Sequence, residues 1–132
     1  MTLVPEMDER TEFGLLNPFC WVCGRSDGYI ETHEITRGVH RNVGVEERCT
    51  WIRLCREDHE RFGDYTQWPI ARQLAVKLIC DPDYYDRQRV NLIRNARTPD
   101  AITEQEVAKY VHHLVAMHWM RDGTGILPGA IP

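Results

Sequence analysis

Two thiols stand three positions apart ahead of a glycine in the run Cys20-Trp21-Val22-Cys23-Gly24. Further along, Leu54-Cys55-Arg56-Glu57-Asp58-His59 sets a third thiol before a carboxylate and an imidazole. Between the two runs lies Thr32-His33-Glu34-Ile35, which holds a His–Glu pair. A C-x-x-C turn aims two thiolates at one point, and a second pair from a distant helix start completes a tetrahedral zinc site. By position, Cys20, Cys23 and Cys55 are three of the ligands. Two neighbours compete to be the fourth. Asp58 stands where a second Cys would make a four-cysteine site, and His59, one residue on, lies on the same helical face as Cys55. Three thiolates with one imidazole is the commoner set, so zinc chemistry alone favours His59. The plain alternative is a group of free buried thiols, and the C-x-x-C-G turn with its matched downstream pair argues against it.

The elements that must position these residues are short. Residues before Pro18 show no period and read as an irregular lead-in, with Phe13, Leu15 and Leu16 available to the core. Pro18 to Gly28 reads as a tight turn closed by Gly24, followed by a second turn at Ser26-Asp27-Gly28. Tyr29 to Ile35 alternates as a strand, Thr36 to Glu47 is a polar loop, and Cys49 to Leu54 is a second strand. Arg56 to Phe62 begins a helix that Gly63 ends. The second half is helical. Pro69 opens a helix whose stripe runs through Ile70, Leu74, Val76, Leu78 and Ile79 to Cys80. After the break at Asp81-Pro82-Asp83, Asp83 caps a helix over Tyr84 to Asn95. Thr103-Glu104-Gln105-Glu106 is a capping box that opens a last helix with Val107, Tyr110, Val111, Leu114, Val115 and His118 in register. The glycines and prolines beyond Asp122 predict an irregular tail. His118 and Trp119 read as packing residues, and Cys49 and Cys80 as small buried hydrophobes.

At 132 residues the chain fits one domain that can bury a modest core without disulfides. The expected division is an N-terminal unit over 18–63, a helical extension over 64–121 and the tail. No apolar run approaches the roughly 18 residues of a membrane span, and the acidic, polar start lacks a secretory pattern. A reducing cytoplasm is therefore the expected compartment. Five cysteines are an odd set and argue against a complete disulfide framework. The net charge of −4 argues against nucleic-acid binding by bulk charge, but the seven arginines between Cys20 and Arg61 allow a local basic face.

C-x-x-C-G, His33-Glu34-Ile35, Arg37-Gly38 and Leu54-Cys55-Arg56-x-x-His59 together resemble the HNH endonuclease family, the zinc-braced ββα-metal nucleases. The resemblance covers residues 18–63 and does not reach the helical half. It implies a ββα-metal unit, and with the helical pattern of the second half the expected fold is α+β, that unit packed on about three C-terminal helices. It also implies a structural Zn2+ and a catalytic Mg2+ or Mn2+ that serve cleavage or nicking of DNA. By that resemblance His33 takes the metal-ligand place, Glu34 the place of the base and His59 that of the helix ligand, while Thr50 falls where the family has an Asn. Alternatively, His33 is the base and Glu34 the ligand. The family geometry puts Asp58 on the zinc and leaves His59 to the catalytic ion. If His59 closed the zinc site instead, the catalytic site would lose a ligand. Arg37, Arg41, Arg53 and Arg56 are the expected phosphate contacts, since guanidinium matches phosphate geometry. Glu34, Thr50 and Asp58 depart from the family's usual His, Asn and Cys. With the net acidity, they support the rival expectation of an inactive zinc-braced module that binds DNA or a protein. The helical half could also form a homodimer face.

Overall fold

The computed structural model describes residues 7–35, 46–60, 68–95 and 101–122, with side chains as far as residue 116. Helix α1 (Glu9–Leu16) occupies the stretch expected to be irregular. Asp8 caps it, its side chain accepting the Thr11 amide at 2.7 Å. Only Phe13 of this helix is buried, so its sequence shows no apolar period. That one ring meets Trp21 edge-on at 5.6 Å and Trp51 at 5.4 Å, two contacts each worth about 0.5–1.5 kcal/mol beyond their burial.

Strands β1 (Ile30–Glu34) and β2 (Trp51–Cys55) form one antiparallel two-stranded sheet, with His33 opposite Ile52. The second strand starts later than its composition suggests. Arg48–Thr50 is a single 3-10 turn, so Cys49 sits in the turn and not on the strand. β2 runs directly into a short helix, α2 (Arg56–Asp58), whose backbone continues as a wider, π-type turn over residues 59–60. The remainder of that expected helix, with its stop at Gly63, lies outside the described residues. So does the loop that carries Arg37 and Arg41.

Helix α3 (Ile70–Cys80) starts behind Pro69 as its pattern predicts, and Leu74, Ala75 and Val76 are fully buried. Helix α4 (Arg87–Ile93) is shorter than expected and is capped by Asp86, not Asp83. Pro82 opens a separate 3-10 turn, Pro82–Tyr84, which lays Tyr84 against the Arg48 guanidinium at 3.7 Å. Helix α5 (Glu104–Asp122) packs on α3 and contributes Val107 and Leu114 to the common core. Its capping box forms as the sequence predicts. Thr103 Oγ1 accepts the Glu106 amide at 3.2 Å, and the Glu106 carboxylate accepts the Thr103 amide at 3.3 Å. Thr103→Ala should therefore cost about 1 kcal/mol, read as a lower urea midpoint with an unchanged slope. The side chains of His118 and Trp119 lie outside the described set.

The fold is thus mixed helix and strand, as expected at that level. Among the described residues, no helix is long and apolar enough to cross a membrane.

Candidate metal centre

The turn that presents Cys20 and Cys23 is fixed by its own backbone. The Gly24 amide donates to Cys20 O at 2.9 Å, and the Cys20 amide donates to Arg25 O at 2.9 Å. Gly24 has φ of 82°, a left-handed conformation that side chains resist. The Trp21 amide donates to Arg53 O at 2.8 Å and so ties the turn to β2. β2 ends at Cys55, and the first turn of α2 swings Asp58 back over it.

The donor atoms of Cys20, Cys23, Cys55 and Asp58 all lie within 4.8 Å of one another. Asp58 Oδ2 is 3.3 Å from the Cys20 sulfur and 3.4 Å from the Cys55 sulfur. The sulfurs of Cys23 and Cys55 are 3.9 Å apart, far beyond a disulfide bond. Tetrahedral bonds of about 2.3 Å to sulfur and 2.0–2.2 Å to oxygen would separate two sulfurs by about 3.8 Å and a sulfur from an oxygen by about 3.6 Å. The Cys23–Cys55, Cys20–Asp58 and Cys55–Asp58 separations therefore lie close to those of such a tetrahedron. Burial pushes the thiols of Cys20 and Cys55 up, and the charge of Asp58 adds to it. A bound divalent cation reverses that penalty by drawing out the thiolates. The set is thus chemically suited to a metal ion. The Cys23 amide also faces the Cys20 sulfur at 3.5 Å, an orientation that favours a thiolate there.

Asp58, not His59, joins the thiols. His59 turns to the hairpin, where its ring meets that of His33 edge-on, with centroids 5.0 Å apart. His59 Nδ1 lies 2.9 Å from Glu31 Oε1. A carboxylate only accepts, so Nδ1 carries the proton. On the inner side, His33 Nε2 lies 2.8 Å from Oε1 of Gln73, which reaches over from α3.

Strand alternation separates the His–Glu pair. Glu31 and His33 share the face that meets His59. Glu34 is on the other face, buried and ion-paired to Arg10 of α1. Thr50 is buried, and its hydroxyl donates to Glu47 O at 2.9 Å. Arg53 turns inward and donates to Asn17 O at 2.9 Å and Thr32 Oγ1 at 2.8 Å, while burial lowers its pKa. Arg56 stays largely exposed, stacked on Tyr29 at 4.4 Å. Sequence reasoning missed Glu31, Gln73 and Arg10. Glu31 had a signal, since period two puts it on the face of His33. Gln73 and Arg10 come from other elements and had none.

No family model, curated protein or solved structure matches this chain.

Proposed function

We propose that this chain is a metal-dependent nuclease that hydrolyses DNA phosphodiester bonds, built on an HNH-like ββα unit braced by zinc at Cys20, Cys23, Cys55 and Asp58. The observation that supports it best is the division of labour between adjacent residues. Asp58 closes the thiol set, and His59 is left beside His33 on the neighbouring face. Zinc suits a thiolate-rich set, whereas Mg2+ or Mn2+ prefers oxygen donors, which water and the scissile phosphate would add beside the His59 imidazole. A divalent ion at His59 would neutralise charge on the scissile phosphate and its leaving oxygen.

The chain's own residues supply the rest. Glu31 fixes the orientation and tautomer of His59, the usual arrangement behind a metal-bound imidazole. His33, on the same face, takes the proton of the attacking water. Glu34, held by Arg10 on the far face, takes no part in this arrangement. Arg56 is the described arginine best exposed to hold a flanking phosphate.

The test is nicking of supercoiled plasmid with Mg2+ or Mn2+. The parent chain should cut. His33→Ala and His59→Ala should each lose about a hundredfold or more, with zinc content unchanged. A parent chain that does not cut, or variants that cut as well as it does, would remove the nuclease reading. A second reading, a zinc-braced interaction module without catalysis, draws support from the burial of His33, which is 2% exposed. It predicts DNA or protein binding with no cleavage under any divalent ion.

A further inference from the structure

We propose that Cys23 and Cys55 form a site of reversible oxidation, at which hydrogen peroxide joins their sulfurs as a disulfide and releases the metal ion. The inference rests on the zinc brace of the reading above and supplies a means of regulating it.

The three thiols are not equivalent. Cys20 is wholly buried, and its sulfur faces the Asp58 carboxylate at 3.3 Å and the Cys23 amide at 3.5 Å. Cys23 is only partly buried, so it is the sulfur that solvent reaches first. Cys55 is buried, but it lines a cavity of about 190 Å3 together with Arg25, Tyr29, Arg56 and Glu57. Such a volume holds several waters, so a molecule as small as hydrogen peroxide fits it. The sulfurs of Cys23 and Cys55 face each other at 3.9 Å, and a disulfide bond needs them only about 2 Å closer. The Cys23 thiolate attacks one peroxide oxygen, the O–O bond breaks and hydroxide leaves, which makes Cys23 a sulfenic acid. The Cys55 thiolate then attacks the Cys23 sulfur and expels its hydroxyl as a second hydroxide. With two protons, two thiolates and one peroxide thus give one disulfide and two waters, and two electrons pass from sulfur to the peroxide oxygens. Cys20 and Asp58 remain, two of the four donors, and a structural zinc needs four. The ion therefore departs. The disulfide keeps the C-x-x-C turn tied to the end of β2, but Asp58 at the end of α2 loses its anchor, and the adjacent His59 with it. Oxidation of the brace thus reaches the cleavage site through the residue beside it.

The test treats the zinc-loaded full chain with hydrogen peroxide and follows zinc release with a chromogenic chelator, free thiols and the disulfide map. One zinc should leave as the two thiols of the pair are lost. Proteolysis after Trp21 separates Cys20 from Cys23, and the cross-linked peptides should pair Cys23 with Cys55. A reductant with fresh zinc should restore both thiols and metal. A Cys49→Ser, Cys80→Ser double variant leaves all four donors in place and should behave as the parent does. Cys23→His keeps a zinc ligand without a sulfur, and should hold its zinc at the same dose. A disulfide through Cys20, Cys49 or Cys80, or a Cys23→His chain that releases zinc as fast as the parent, overturns the proposal. Nicking by the parent should fall as zinc is lost and return on reduction. A parent that carries no zinc ends the brace reading itself. One that carries zinc and keeps it under peroxide ends the redox role alone. One that releases zinc with a Cys23–Cys55 disulfide but cuts no DNA in either state ends the nuclease reading and leaves the redox site standing.

Discussion

Cys55→Ser should yield a chain that carries no zinc and does not fold. Structural zinc in small sites contributes apparent free energies of about 10–16 kcal/mol at neutral pH, and whole domains are stable by only about 5–15 kcal/mol. The loss falls heavily here because Cys55 joins three things. It ends β2, begins α2 and faces both Cys23 and Asp58. Chelation of the parent protein should have the same result, read as loss of the far-ultraviolet helical signal together with one zinc per chain. On the proposed reading, the neighbouring residues Asp58 and His59 serve two different ions. Asp58→Cys should keep the zinc, since it supplies the fourth thiolate of a common set. Asp58→Ala should weaken it, and His59→Ala should leave its stoichiometry unchanged. A His59→Ala chain that lost its zinc would mean that the brace had been assigned to the wrong residue.

Asp81→Ala should cost about 3–5 kcal/mol, the usual penalty for removing one partner of a buried pair. Lys77 is fully buried among aromatic rings, with its ammonium 5.1 Å from Phe13 and 5.5 Å from Trp21. It donates to Trp51 O and to Asp81 Oδ2, each at 2.8 Å. Burial pulls the Lys77 pKa down, and Asp81 holds it partly up. Without Asp81 the folded pKa falls further below the ordinary 10.5. In the window between the two values the unfolded chain binds more protons, so stability rises with pH. The deficit of Asp81→Ala relative to the parent should therefore shrink as pH climbs toward 10.5, measured by urea unfolding at neutral and alkaline pH. Lys77→Met should cost less, because Asp81 keeps Arg48 as a partner.

The side-chain set that can hold a metal ion was the most legible part of the sequence because its chemistry is local. Cys20, Cys23 and Cys55 declare themselves through spacing, whereas the choice between Asp58 and His59 as the fourth member stayed open until the structure set Asp58 among the thiols. The capping box at Thr103 and the start of α3 behind Pro69 were legible for the same reason. What escaped depended on contacts between elements. α1 is organised by one buried ring, Phe13, so no window of its sequence shows a face. α4 was mistimed because Asp83 has the chemistry of a cap, whereas Pro82–Tyr84 forms a separate 3-10 turn and Asp86 caps the helix. Adjacent His33 and Glu34 looked like one site, yet strand alternation sends them to opposite faces. Gln73 reaches His33 across 40 positions with no local signal to mark it.

The two-stranded sheet also has two rims, and each is closed to strangers. The Ile35 amide donates to Thr50 O, so the alternate residues Trp51 and Arg53 direct their carbonyls away from β1. Lys77 takes the first of these and the Trp21 amide the second. On the opposite rim, Arg10 takes the carbonyl of Thr32. A bare hairpin is a template on which a further strand can grow, and proteins guard such rims with cations. Here an incoming strand would have to evict an ammonium on one side or a guanidinium on the other. The contacts that fasten α1 and α3 to the hairpin thereby also protect it from edge-to-edge aggregation.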